Sequence, residues 1–107
     1  VTDANADQRA AWNGESGERW VATADRRDAV LAPVGEALIE TAAIAPGERV
    51  LDIGCGCGAT TLAAARDAGP TGHVLGVDLS APMLALAAQR AETTPTADLL
   101  QADAQTF

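Results

Sequence analysis

The chain contains no lysine and no tyrosine, one histidine, one phenylalanine, two tryptophans and two cysteines among 107 residues. Each scarcity excludes something. Positive charge rests on arginine alone and is outweighed by Asp and Glu, giving a formal net charge of −8. That disfavours a broad footprint on nucleic acid or on an anionic membrane. No apolar run approaches the ~20 residues of a membrane helix. The start, Val1 to Asp7, has neither the basic beginning nor the apolar middle of a signal peptide. Cys55 and Cys57 stand two positions apart, too close for a mutual disulfide, and read as reduced thiols of a cytoplasmic protein. Aromatic residues make up 3% of the chain, and alanine supplies much of its 48% hydrophobic content. Alanine favours helix but buries little area, so the expected core is thin. At this length a single domain buries only roughly 60–65% of its unfolded surface.

What is present is organised around Arg49-Val-Leu-Asp-Ile-Gly-Cys-Gly-Cys-Gly-Ala59. Val50, Leu51 and Ile53 read as a parallel strand covered on both faces. Gly54, Gly56 and Gly58 follow at alternate positions and permit positive φ where bare backbone must approach a ligand. A helix opening near Ala59 aims its unpaired N–H groups at the same place. Upstream, short helices are expected near Asp7–Trp12 and Glu18–Ala24, with Asn13-Gly14 and Ser16-Gly17 as turns. From Asp25 to Ala45 the apolar stripe Val30, Leu31, Val34, Leu38 and Ala42 predicts a long helix or two joined pieces, kinked or restarted at Pro33 and ended by Pro46-Gly47. Downstream come an alanine-rich helix over Ala59–Ala68, a strand over His73–Asp78, a helix capped by Ser80 and running to about Glu92, and a third strand over Ala97–Gln101. Strand–helix–strand–helix–strand with right-handed crossovers predicts a parallel sheet in the order 1-2-3. The fold class is α/β, a Rossmann-like doubly wound sheet of which the first three strands are present.

Gly54-x-Gly56-x-x-Ala59, with Asp78 some twenty residues beyond the last glycine, also satisfies the dinucleotide fingerprint. An acid at Asp78 suits the ribose of any adenosyl ligand. Asp52 discriminates. A diphosphate above the loop would meet this carboxylate, and like charges 4–6 Å apart cost on the order of 3 kcal/mol at an effective dielectric near 20. A ligand with a sulfonium and an ammonium, such as S-adenosylmethionine, removes that cost. Asp103, after the third strand, adds a third acid able to accept from an adenine amino group, with the backbone N–H of Ala104 facing a ring nitrogen. An NAD(P)-dependent oxidoreductase fragment, or a truncated binding module without catalysis, stays open beside this reading.

Val-Leu-Asp-Ile-Gly-Cys-Gly-Cys-Gly-Ala, Gly-Val-Asp-Leu-Ser and Gln-Ala-Asp-Ala resemble the first three cofactor motifs of class I S-adenosylmethionine-dependent methyltransferases. Trp-Asn-Gly-x-x-Gly-x-x-Trp is similar to the ubiquinone/menaquinone-biosynthesis group. The resemblance implies a cofactor site made of Asp52, Gly54, Cys55, Gly56, Gly58, Asp78, Leu79, Asp103 and Ala104. In it the loop lies on the methionine part, Asp52 near the ammonium through water, Asp78 on the ribose and Asp103 on the adenine. It also implies seven strands, of which this chain supplies three. The expected organisation is a helical cap or lid over residues 1–45 and the first half of the cofactor-binding domain over 46–107, an N-terminal portion of a methyltransferase acting on a small-molecule acceptor. The open edge of the first strand is an expected site of self-association. No catalytic residue is assigned. His73 begins the second strand, away from the cofactor rim, and the two cysteines lack companions for a metal site.

Overall fold

The three short apolar runs become three strands of one sheet. A computed structural model describes residues 4–107. Val1, Thr2 and Asp3, part of the start read for a leader and of the expected cap, lie outside the described residues. The elements are α1 (Ala6–Asn13), α2 (Glu15–Ala22), α3 (Ala24–Ala42), β1 (Arg49–Ile53), α4 (Ala59–Ala68), β2 (His73–Asp78), α5 (Ala81–Arg90) and β3 (Ala97–Gln101). The strands are parallel and ordered β1-β2-β3. Both crossovers advance in the same direction, so right-handedness puts α4 and α5 on one face. Among the described residues, no helix is long and apolar enough to cross a membrane.

Register explains the core. Val50, Val74 and Ala97 are paired neighbours across the sheet, and α4 lays Ala64 and Ala65 on Val74, with Ile39 and Ile44 closing the cluster. One step along, Asp52, Gly76 and Leu99 align. A Cβ on Gly76 would stand 2.9 Å from Thr61 Oγ1 and 3.0 Å from Cys55 Sγ. Glycine there lets α4 and the loop descend onto the sheet. The core is thin, as expected from the alanine content: the largest fully buried side chains are Val74, Val77, Thr61 and Ser80.

Four expectations change. First, β1 is not covered on both faces: Leu51 and Ile53 are 48% and 62% exposed. The helices occupy the opposite face, and among the described residues only β2 pairs with β1. Second, the stripe Val30, Leu31, Val34 and Leu38 lies exposed. The helix is instead seated through buried Ala24 and partly buried Ile39. Third, of the two readings for this stretch the structure takes the single helix, running through Pro33, but its end moves. Proline removes the partner of the Ala29 carbonyl, but Ala29 is exposed, where such a loss costs least. The helix stops at Ala42, before Pro46-Gly47, because Ala43 turns left-handed at φ 48° and donates to the carbonyls of Ile39 and Glu40. Fourth, Ser16-Gly17 is not a turn but part of α2. A Cβ on buried Gly17 would lie 2.0 Å from the Trp12 carbonyl oxygen and 2.8 Å from Ser80 Oγ. Glycine is required there by contact rather than by backbone angle. Ser80 caps α5 as expected, accepting from the Met83 N–H, and α5 ends at Arg90, two residues short of the expected Glu92.

Candidate functional site

The glycine loop is pinned to the middle strand. The N–H groups of Gly54 and Cys55 donate to the Val77 carbonyl at 2.8 and 3.0 Å, and that of Gly58 to the Cys55 carbonyl at 3.0 Å. Gly54, Gly56 and Gly58 have φ of 74°, 54° and 92°, a left-handed run that other residues adopt only under strain. Behind the loop stands α5. A Cβ on Gly58 would meet Ala87 Cβ at 3.0 Å, and one on Gly56 would meet Met83 Cε at 3.0 Å. In front, a Cβ on Gly54 would meet nothing within 4 Å. The loop is thus backed by a helix and open toward a groove of about 1080 Å³, at the upper end of small-ligand sites.

Gly54, Cys55, Gly56, Asp78, Leu79, Asp103 and Ala104 all line this groove. Asp52 and Gly58 lie outside the lining. Asp78 ends β2 and ties the rim together: one oxygen accepts the Gly56 N–H at 2.8 Å, the other the Ser80 N–H at 2.9 Å. Asp52 points onto the first turn of α4, where Thr60 and Thr61 both donate to its Oδ2 at 2.7 Å. Thr60 itself lines the groove. Asp103, with a side chain 8% exposed, accepts from Asn5 Nδ2 at 3.0 Å and from Arg9 Nη2 at 3.3 Å, so α1 lies over the third acid.

Several contributors were not legible in advance. Asn13, read as a turn signal and as part of the tryptophan motif, bonds the Leu79 carbonyl, the Ala81 N–H and the Gln101 amide, seating α1 on the ends of β2 and β3. Arg90 Nη1 donates to the Cys57 carbonyl at 3.2 Å and pairs with Asp28 at 2.8 Å, while its Nη2 meets Asp25 at 3.2 Å. This joins α5, the loop and the start of α3. Trp12 and Trp20 meet edge to face at 5.7 Å and pack with Val21 and Leu86 around Ala24, Cys57 and Met83. The Arg27 guanidinium stacks 3.6 Å above the Trp20 ring. The Trp-Asn-Gly-x-x-Gly-x-x-Trp motif marked Trp12, Asn13 and Trp20 but not their partners, and Arg90 reaches residues 33 to 65 positions away.

Both cysteines are free and buried. Burial, then the charges of Asp78 and Asp52, pushes the Cys55 thiol up from 9.0 to about 12. Burial also raises Cys57. Neither presents a thiolate near neutral pH, which removes them as nucleophiles. His73 pairs with Asp98 at 2.6 Å at the start of β2, the far end of the strands from the loop. Among the described residues no three His, Cys, Asp or Glu side chains gather as a metal would need.

A parallel sheet whose first strand runs into a helix-backed glycine loop, with an acid at or just beyond each strand end, defines a Rossmann-like α/β unit. A model of a methyltransferase domain matches residues 50–107, more than half of the chain, and the chain belongs to that family. It is 52% identical over 46 residues to an arsenite methyltransferase of Halobacterium salinarum, a stretch covering 43% of this chain and 12% of that protein. It is 42% identical over 55 residues to a demethylmenaquinone methyltransferase of Symbiobacterium thermophilum, covering 51% and 22%. A solved SAM-dependent methyltransferase of Geobacter sulfurreducens in complex with S-adenosyl-L-homocysteine superposes with a TM-score of 0.54 at 32% identity, over 72% of this chain and 30% of that one. The matched part is therefore a quarter or less of either curated relative.

Proposed function

We propose that this chain binds S-adenosylmethionine in the groove above the glycine loop and supplies the cofactor half of a methyltransferase for a small-molecule acceptor. The observation that carries the reading is the lining of one groove: Asp78 and Asp103 at successive strand ends beside an open glycine cradle, with Asp52 behind it on Thr60. The acids suit the cationic groups and hydroxyls of an adenosyl sulfonium better than a diphosphate. In this reading Gly54, Cys55, Gly56 and Gly58 support the methionine part. Asp52 acts on the ammonium through Thr60, which it orients and which reaches the groove. Asp78 accepts from the ribose hydroxyls, with Leu79 beside it. Asp103 and the Ala104 N–H address the adenine edge.

The bound cofactor would supply an activated methyl group, so the chain's own work is to orient, to exclude water and to fix charge. Residues 1–45 are the cap in this reading, with α1 closing the rim through Asn13 and Arg9. Two buried, protonated thiols suit a reducing cytoplasm. The exposed Leu51 and Ile53, on a strand that among the described residues pairs only with β2, support self-association. The test is calorimetric titration with S-adenosylhomocysteine and, separately, with NADH. Tighter binding of NADH, or no binding of S-adenosylhomocysteine, overturns the assignment.

A further inference from the structure

We infer that Asn13 is the positioning residue of the ribose acid and fixes the Asp78 carboxylate through a single peptide unit. The inference rests on the adenosyl reading above and carries it outward, to a residue that does not line the groove.

The unit is the Leu79–Ser80 peptide. Its N–H end donates to Asp78 Oδ1 at 2.9 Å. Its C=O end accepts from Asn13 Nδ2 at 2.9 Å and from Gln101 Nε2 at 3.1 Å. A peptide is planar, so its two ends cannot turn independently. With the carbonyl held by two donors, the N–H keeps its aim at the carboxylate. Donation to the carbonyl also polarises the amide and strengthens the bond its N–H makes. Asn13 grips the far side of the same turn as well, its Oδ1 accepting the Ala81 N–H at 2.9 Å.

A primary amide is needed for this. Asn13 Nδ2 gives one hydrogen to the Leu79 carbonyl and the other to the Arg9 carbonyl of α1, at 2.7 Å. Its Oδ1 accepts from Ala81 and from Gln101 Nε2 at 3.2 Å. Two donors and two acceptor sites are the full capacity of the group, so its orientation is determined. A carboxylate in its place would set an oxygen against two carbonyls. The other oxygen of Asp78 is held from the loop, by the Gly56 N–H at 2.8 Å. The ribose acid is thus fixed on one side by the glycine loop and on the other by α1, and each oxygen keeps a further lone pair for a hydroxyl.

The test pairs three ligands with three proteins. The ligands are S-adenosylhomocysteine, its 2′,3′-dideoxy counterpart, which lacks the ribose hydroxyls, and S-inosylhomocysteine, which lacks the adenine amino group. The proteins are the unaltered chain, Asn13→Ala and Gln101→Met, the last at an exposed position. By calorimetry the unaltered chain is expected to prefer S-adenosylhomocysteine to the dideoxy ligand by roughly tenfold to a hundredfold, the usual worth of a hydrogen bond to a charged group. Asn13→Ala should lower that preference to about threefold or less, and Gln101→Met should lower it part of the way. The preference over S-inosylhomocysteine should stay the same in all three proteins. A loosened α1 would lower both preferences, because its Arg9 and the preceding Asn5 sit on Asp103. A hydroxyl preference unchanged in Asn13→Ala, or both preferences falling together, therefore overturns the inference. If Asn13→Ala does not melt cooperatively, Gln101→Met decides alone, and an unchanged hydroxyl preference there overturns it. An unaltered chain that binds S-adenosylhomocysteine without any hydroxyl preference also overturns it and leaves the adenosyl reading standing. Failure of S-adenosylhomocysteine to bind the unaltered chain overturns the two together.

Discussion

Replacing Gly17 by alanine should destabilise the chain, although the same change in an exposed helix interior ordinarily stabilises by about 1 kcal/mol. The added methyl would lie 2.0 Å from the Trp12 carbonyl oxygen and 2.8 Å from Ser80 Oγ, whereas real Cβ atoms essentially never come closer than 3.0 Å. The Trp12 carbonyl must therefore retreat by at least an ångström. That carbonyl accepts the Ser80 hydroxyl at 2.5 Å, and Ser80 is the N-cap of α5. The retreat sacrifices a part-buried hydrogen bond, worth about 1–3 kcal/mol, and adds overpacking of about 1–3 kcal/mol. Against the helix-propensity gain, the net loss is roughly 1–5 kcal/mol. Trp12 and Trp20 are the only tryptophans and both pack at this junction, so their emission reports the displacement directly. Thermal melting followed by circular dichroism and by tryptophan emission should show a midpoint lowered by roughly 5 °C or more, with the emission changing first. A Gly17→Ala chain that melts at or above the original temperature with unchanged emission would refute the contact argument.

Other outcomes follow from the same geometry. Asp78→Ala should weaken S-adenosylhomocysteine binding by about 1–3 kcal/mol, and an unchanged dissociation constant in calorimetry would remove Asp78 from the site. Alkaline pH should destabilise the fold. Below pH 9 both states keep the Cys55 proton; above it the unfolded thiol ionises while the folded one holds its proton to about 12, so stability falls by up to ~1.4 kcal/mol per pH unit across that window. Urea melts at pH 8 and pH 10.5 measure the slope, and a Cys55→Ala chain showing the same slope would assign the effect elsewhere. Sedimentation should reveal concentration-dependent association that Leu51→Lys relieves by charging the uncovered face beside β1. A monodisperse monomer at high concentration would contradict that.

The sequence carried what is local or follows from short connections. Strand and helix periods, the Ser80 cap and the left-handed glycines are decided by side-chain alternation and backbone sterics within a few residues. The order β1-β2-β3 follows because two short right-handed crossovers allow little else. The positions of Gly54, Asp78 and Asp103 at the groove come with that order, since parallel strands deliver their carboxyl ends to one side of the sheet. Only tertiary structure decided matters of partnership. Val30, Val34 and Leu38 form a helical stripe whichever way α3 faces; it is left exposed, with Leu31, Val34 and Leu38 along the groove, while Ala24 and Ile39 pack into the two core clusters. Asp52 belongs to Thr60 and Thr61, Gly17 is glycine because of Trp12 and Ser80, and Asp28 is held by Arg90 across 62 residues. Such pairings depend on distances between elements, which no local pattern encodes.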